Sequence, residues 1–188
     1  MLTNAMVKLK DSLACITYNG AQHTHILIEE TDAAAKLKKA RLIAPNGDWF
    51  SFDPDKGRGK TALMSPLLAT GVHDHHRACD CVVVVNRNGA LTVVYVDLKS
   101  GNPSGYAGQF KSTRQFIRYA LGLLEEFHQE KLTIADERYV ILHGGKVSFL
   151  NKTTTVPKAE KMGKSKPDAA YKRTVGNPAR LYLKELLG

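Results

Sequence analysis

The residues with the clearest chemical potential are Asp80, Asp97 and Lys99. Asp97 and Lys99 stand two apart where the β-rich run 91–98 ends. In a strand their side chains leave the same face, while Leu98 turns the other way with Val94 and Val96. Asp80 opens an earlier β-branched run, Cys81–Val85. Between the runs lies Asn86-Arg87-Asn88-Gly89, and Asn-Gly is the strongest short hairpin signal. Asp80 is about as far before that turn as Asp97 is after it, so an antiparallel hairpin brings both carboxyls and the Lys99 ammonium to its open end. Paired carboxylates hold a hard cation such as Mg²⁺ or Mn²⁺ through oxygen. A cation there polarises a phosphate and activates water, and an ammonium beside it orients that water or stabilises developing charge. The chemistry this points to is phosphodiester hydrolysis.

These groups need a frame. Residues 13–19 and 25–29 read as a hairpin around Gly20-Ala21-Gln22. Residues 33–40, rich in Ala, Leu and Lys, predict a short helix. Residues 41–44 and 49–52 read as short strands, and the polar stretch 53–60 as a loop. After the break at 100–105 the apolar period becomes helical. Phe110, Phe116, Ile117, Ala120, Leu121, Leu123, Leu124 and Phe127 give a broad apolar face over 106–128. Residues 137–142 and 146–150 read as strands, with 143–146 as a turn between them. Residues 151–173 carry seven Lys and Arg against Glu160 and Asp168 and read as a flexible basic loop. Asn177-Pro178 has the form of a helix start, opening a final helix to Leu187. The order predicts an α/β or α+β domain on a mixed sheet.

At 188 residues, with 43% hydrophobic and 24% charged, the chain can bury a core and is not of disordered or collagen-like composition. No apolar run approaches the length needed to cross a bilayer, and the first residues lack the form of a signal peptide. Three cysteines make no disulfide framework, and Cys79 and Cys81 lack zinc-site spacing, so a cytoplasmic, reducing setting is expected. The formal net charge of +9 favours anionic partners, nucleic acid first.

Asp80 followed by Asp97-Leu98-Lys99 at a strand end resembles the signature of the PD-(D/E)XK nuclease superfamily. On the next helix, Gln115-Phe116-Ile117-Arg118-Tyr119 is similar to the Gln-x-x-x-Tyr motif of its RecB-like branch. The resemblance covers about Arg77–Tyr119. It departs from the pattern in having Cys79 where a Pro is usual, and in lacking an upstream helical Glu. The resemblance implies a restriction-endonuclease-like mixed central sheet flanked by helices. It implies a catalytic set of Asp80, Asp97, Lys99, Gln115 and Tyr119. Asp80, Asp97 and the Leu98 backbone carbonyl would hold Mg²⁺ or Mn²⁺, with His76 or Glu30 as a further candidate ligand. Lys111, Arg114, Arg118, Lys161, Lys164 and Lys166 are the candidate contacts to nucleic acid, DNA in the first instance. The expected organisation is one nuclease-like domain, with 1–70 an N-terminal elaboration, 71–150 the catalytic core and 151–188 a basic loop and C-terminal helix. Targeting would fall to a homo-oligomer or a partner subunit. The alternative expectation is a non-catalytic nucleic-acid-binding module on the same fold.

Overall fold

The computed structural model describes residues 1–31, 35–70, 74–100, 104–145 and 160–188. In chain order its elements are α1 (Asn4–Asp11), β1 (Ile16–Asn19), β2 (His25–Glu29), β3 (Lys39–Ile43), β4 (Trp49–Phe52), the one-turn α2 (Pro54–Gly57), β5 (Cys81–Arg87), β6 (Ala90–Lys99), α3 (Tyr106–His128), β7 (Thr133–Gly144), β8 (Tyr171–Val175), β9 (Ala179–Tyr182) and the one-turn α4 (Lys184–Leu187). Six strands form the main sheet in the order β1-β4-β5-β6-β7-β8. The neighbours from β1 to β6 are antiparallel, and β6, β7 and β8 are parallel. A parallel pair needs a crossover, and α3 supplies it between β6 and β7.

β5 and β6 are apolar on both faces because both faces are covered. Val83, Val85, Val94, Val96 and Leu98 pack against a second sheet of order β2-β3-β9 and against α4. Val82, Val84, Val93 and Tyr95 pack against α1 and α3. The alternation that sends Val93 and Tyr95 toward α3 sends Asp97 and Lys99 the same way. The hairpin turn holds Asn88 and Gly89 at φ +55° and +86°, as its tight loop requires, and the Asn86 side chain accepts from the Gly89 N–H at 2.9 Å.

The mixed α+β architecture, the β5–β6 hairpin and α3 match the expectations from sequence. The longer helices α1 and α3 cover one face, and a second sheet with the one-turn α4 covers the other. Residues 13–19 and 25–29 do not form a hairpin. β1 pairs with β4 and β2 with β3, because Ile26 and Ile28 face the core beside Ala40 and Leu42. Among residues 35–38 there is no helix. Ala35 and Leu37, then Ala40 and Leu42, are buried at the two-residue spacing of extended chain, and packing overrides the helix preference of the composition. The loop at 53–60 holds α2, capped by Asp53, whose side chain accepts from Lys56 N at 2.8 Å. Residues 143–144 end β7, and the expected strand 146–150 lies outside the described residues. The described part of the basic loop is ordered as a helical turn at 160–163, a closed turn at 166–169 and β8. The expected final helix is instead β9 followed by α4, because Ala179 and Leu181 alternate into the core beside β3. No described helix is long and apolar enough to cross a membrane.

Candidate active site

The site stands where β5 begins and β6 ends, beneath the first turns of α3. The last pair of the β5–β6 ladder is Cys81 with Val96, so Asp80 comes level with Asp97. Asp80 Oδ2 accepts from the Leu98 N–H at 2.6 Å, which fixes the first carboxyl against the second strand. Asp97 is 0% exposed. Its Oδ2 lies 2.8 Å from Lys99 Nζ, and its carboxyl also hydrogen-bonds with that of Asp80. Lys99 Nζ also donates to Gln109 Oε1 at 2.8 Å, and Gln109 Nε2 donates to the Ala78 carbonyl at 3.1 Å.

The first turns of α3 clamp the segment that carries Asp80. Cys79 N–H donates to Thr113 Oγ1 at 3.1 Å, and Ser112 Oγ donates to the His75 carbonyl at 2.5 Å. The helix comes this close only because residue 108 is glycine: a Cβ there would collide with the Asp74 side chain. Thus the helix orients Asp80 through the backbone of 75–79 and Lys99 through one amide.

Both acids hold their protons more tightly than an ordinary carboxyl. Burial raises Asp80 well above its usual value, and the charge of Asp97 adds to it, against the opposing Leu98 N–H. Burial raises Asp97 too, against the pull of the Lys99 ammonium. Glu30, just past β2, pushes both upward and so brings a third carboxylate into the electrostatics of the site. An acid raised on folding stabilises the folded state below its unfolded pKa, and that contribution is lost as pH rises through the folded value. The metal-free protein is therefore expected to lose stability as pH rises above the ordinary carboxyl value of 3.8. Urea melts in chelator across about pH 5 to pH 8 measure this, and Asp80→Asn should flatten the trend. A trend that rises instead, or is unchanged in the variant, counts against the raised acids.

The structure brings together Asp80, Asp97 and Lys99, with Leu98 joining through its N–H. It leaves Gln115 and Tyr119 apart from them. Both are exposed, Tyr119 at 63%, and they line an apolar cavity of about 710 Å³ with Met64, Leu67 and Phe116. Gln115 is about 9 Å farther along the helix than Gln109. His76 is turned to the preceding loop, where its ring nitrogens meet Met64 N at 3.2 Å and Ala69 O at 3.1 Å. Of the candidate nucleic-acid contacts, Arg118 is paired with Glu137 at 3.4 Å and Lys164 with Glu160 at 2.5 Å. Lys161 is exposed on the 160–163 turn, and Lys111, Arg114 and Lys166 converge on one cavity.

Gln109 and Thr113 are the residues that sequence reasoning missed. The available signal was position. A crossover helix starts at the end of the strand it leaves, so only its first turns can reach Lys99.

Among the described residues no group of three or more His, Cys, Asp and Glu side chains is disposed to hold a metal ion. The donor set nonetheless suits a hard divalent cation: two carboxyls in contact, both largely withdrawn from solvent. Set beside family models, curated proteins and solved structures, the chain matches none.

Proposed function

We propose that the protein is a divalent-cation-dependent nuclease that hydrolyses phosphodiester bonds in DNA. The observation that carries this reading is the convergence of Asp80, Asp97 and Lys99 at one strand end, with the Asp97 carboxyl fully buried between the other two. The resemblance of these residues to the PD-(D/E)XK signature supports it. Asp80 and Asp97 would hold Mg²⁺ or Mn²⁺, with the Leu98 carbonyl and Glu30, whose charge acts on both acids, as further candidates. When bound, the cation supplies Lewis-acid polarisation of the scissile phosphate. Lys99, held between Asp97 and Gln109, directs its ammonium toward the attacking water and the charge that grows on phosphate oxygen. Gln109 is a positioning residue: it ties Lys99 to the backbone ahead of Asp80. Burial pushes the thiols of Cys79 and Cys81 up, so they stay protonated and inert beside Asp80; a cytoplasmic setting rests on the absence of a disulfide framework among three cysteines. Targeting would come from a second copy or a partner subunit.

Incubation with single- and double-stranded DNA and RNA, in Mg²⁺, Mn²⁺ or chelator, tests this reading. Cleavage of DNA that needs the cation is the expected result. Gln109→Ala is expected to slow cleavage about 10- to 100-fold, the range for loss of an orienting partner, whereas Gln115→Ala should stay within about threefold. Equal effects of the two would remove Gln109 from its assigned role. A second reading, a nucleic-acid-binding module without catalysis, is favoured by the complete burial of Asp97. It predicts DNA binding intact in chelator and no cleavage in either cation.

A further inference from the structure

A cavity of about 410 Å³ lies between α3, β7 and the 166–169 turn, lined by Lys111, Arg114, Glu137, Tyr139, Lys166 and Asp168. Its charge is unbalanced. Among the described residues Lys111, Arg114 and Lys166 make no ion pair, whereas Glu137 is already engaged by Arg118 at 3.4 Å and by the Tyr95 hydroxyl at 2.9 Å. Three cations are thus opposed by Asp168 and by a Glu137 that Arg118 already shares, so the lining carries a net positive charge suited to an anionic group such as a phosphomonoester.

A second observation is independent of charge. Tyr139 is 2% exposed, with its hydroxyl beside the Arg114 and Glu137 side chains. Arg114 Nε is sealed from solvent without an acceptor. Burial, with the Glu137 charge beside it, raises the Tyr139 phenol, so it remains a donor. Buried donors are rarely left without an acceptor, and here Arg114 Nε, on a side chain that lines a space rimmed by cations, is one.

The frame is also preformed. Met162 is buried in the core. Ser165 Oγ donates to the Met162 carbonyl at 2.7 Å and accepts from Tyr139 N–H at 3.0 Å. The Lys166 and Ala169 backbones exchange hydrogen bonds of 3.1 and 3.0 Å, and the Tyr106 hydroxyl donates to the Asp168 carbonyl at 3.1 Å. The volume falls in the range of small-ligand pockets, enough for a phosphate and part of what bears it. A planar guanidinium, two ammoniums and a phenol form a donor set suited to phosphate oxygens.

We propose that this cavity binds a phosphomonoester group, the terminal phosphate of a nucleic-acid strand. The bearer, though not the group, rests on the nuclease reading. Tyr139 stands two residues before Ile141, the neighbour of Asp97 across the β6–β7 ladder, so its backbone is about 8 Å from that of Asp97, and neither acid lines the cavity.

The test measures binding in chelator, where no cleavage is needed. Fluorescence anisotropy would compare labelled oligonucleotides ending in 5′-phosphate, in 3′-phosphate or in hydroxyls only. At least a tenfold advantage for one phosphorylated end is expected. Arg114→Gln and, on the exposed turn, Lys166→Gln should each remove most of that advantage, with melting curves showing that both variants fold. Displacement by inorganic phosphate supports recognition of the group itself. A free mononucleotide that competes as well as the oligonucleotide keeps the group and changes its bearer. Equal affinity for phosphorylated and hydroxyl ends, or an advantage that survives in both variants, overturns the proposal. Absence of cleavage in Mg²⁺ with the end preference intact would overturn the nuclease reading alone.

Discussion

Asp97→Asn is expected to lower cation-dependent DNA cleavage by about a thousandfold or more, while the protein stays folded. Removal of one preorganised donor from an active site commonly costs about 10²- to 10³-fold. Asp97 carries more than that: it is a proposed cation ligand and the anchor of Lys99, 2.8 Å away. The fold should survive because the carboxamide has the shape of the carboxyl. Burial already pushes Asp97 toward its neutral form, so the substitution brings no new charge into the interior. Lys99 loses a counter-charge yet keeps Gln109 and partial exposure. Single-turnover cleavage, read beside a thermal melt, checks both halves. Retention of more than about a tenth of the wild-type rate would take Asp97 out of the site, whereas an unfolded variant would show as an early melt.

Millimolar Mg²⁺ or Mn²⁺ near pH 8 is expected to raise the melting temperature by about 5–10 °C over chelator. A ligand at a hundredfold its Kd stabilises by about 2.7 kcal/mol, and in a domain of this size each kcal/mol moves Tm by about 2–4 °C. Protons compete with the cation for Asp80 and Asp97, whose pKa values are both raised, so the shift should shrink as pH falls. Asp80→Asn and Asp97→Asn should each remove it. This measurement needs no substrate, and so it tests the acids apart from any question of which nucleic acid is cut. An identical Tm in cation and chelator at pH 8 would mean that the two carboxyls hold no cation.

The acid pair was legible because it depends on two local rules. Asn88-Gly89 fixes the register of the hairpin, and strand alternation puts Asp97 and Lys99 on one face. The helix 106–128 was legible from its period. What failed depends on partners distant in sequence. Residues 25–29 choose 39–43 over 16–19 because Ile26 and Ile28 share a buried layer with Ala40 and Leu42. Ala179 and Leu181 become strand because β3 offers a parallel edge 139 residues earlier, between Ala40 and Ala179. No local propensity encodes either choice. At the site, Gln115 and Tyr119 do share a helix face, as their spacing requires, but the face that meets Lys99 belongs to Gln109. A four-residue interval reports that two side chains neighbour each other and is silent about what they look toward.

The parallel pairing of β3 with β9 also has a consequence for synthesis. The edge that β3 offers is completed only by residues 179–182. At about 5–20 residues per second, a ribosome takes on the order of ten to thirty seconds to travel between the two strands. Throughout that interval the nascent β2–β3 hairpin carries an unsatisfied strand edge and an uncovered apolar face. The newborn chain therefore depends, for that time, on whatever keeps such an edge from pairing with a stranger.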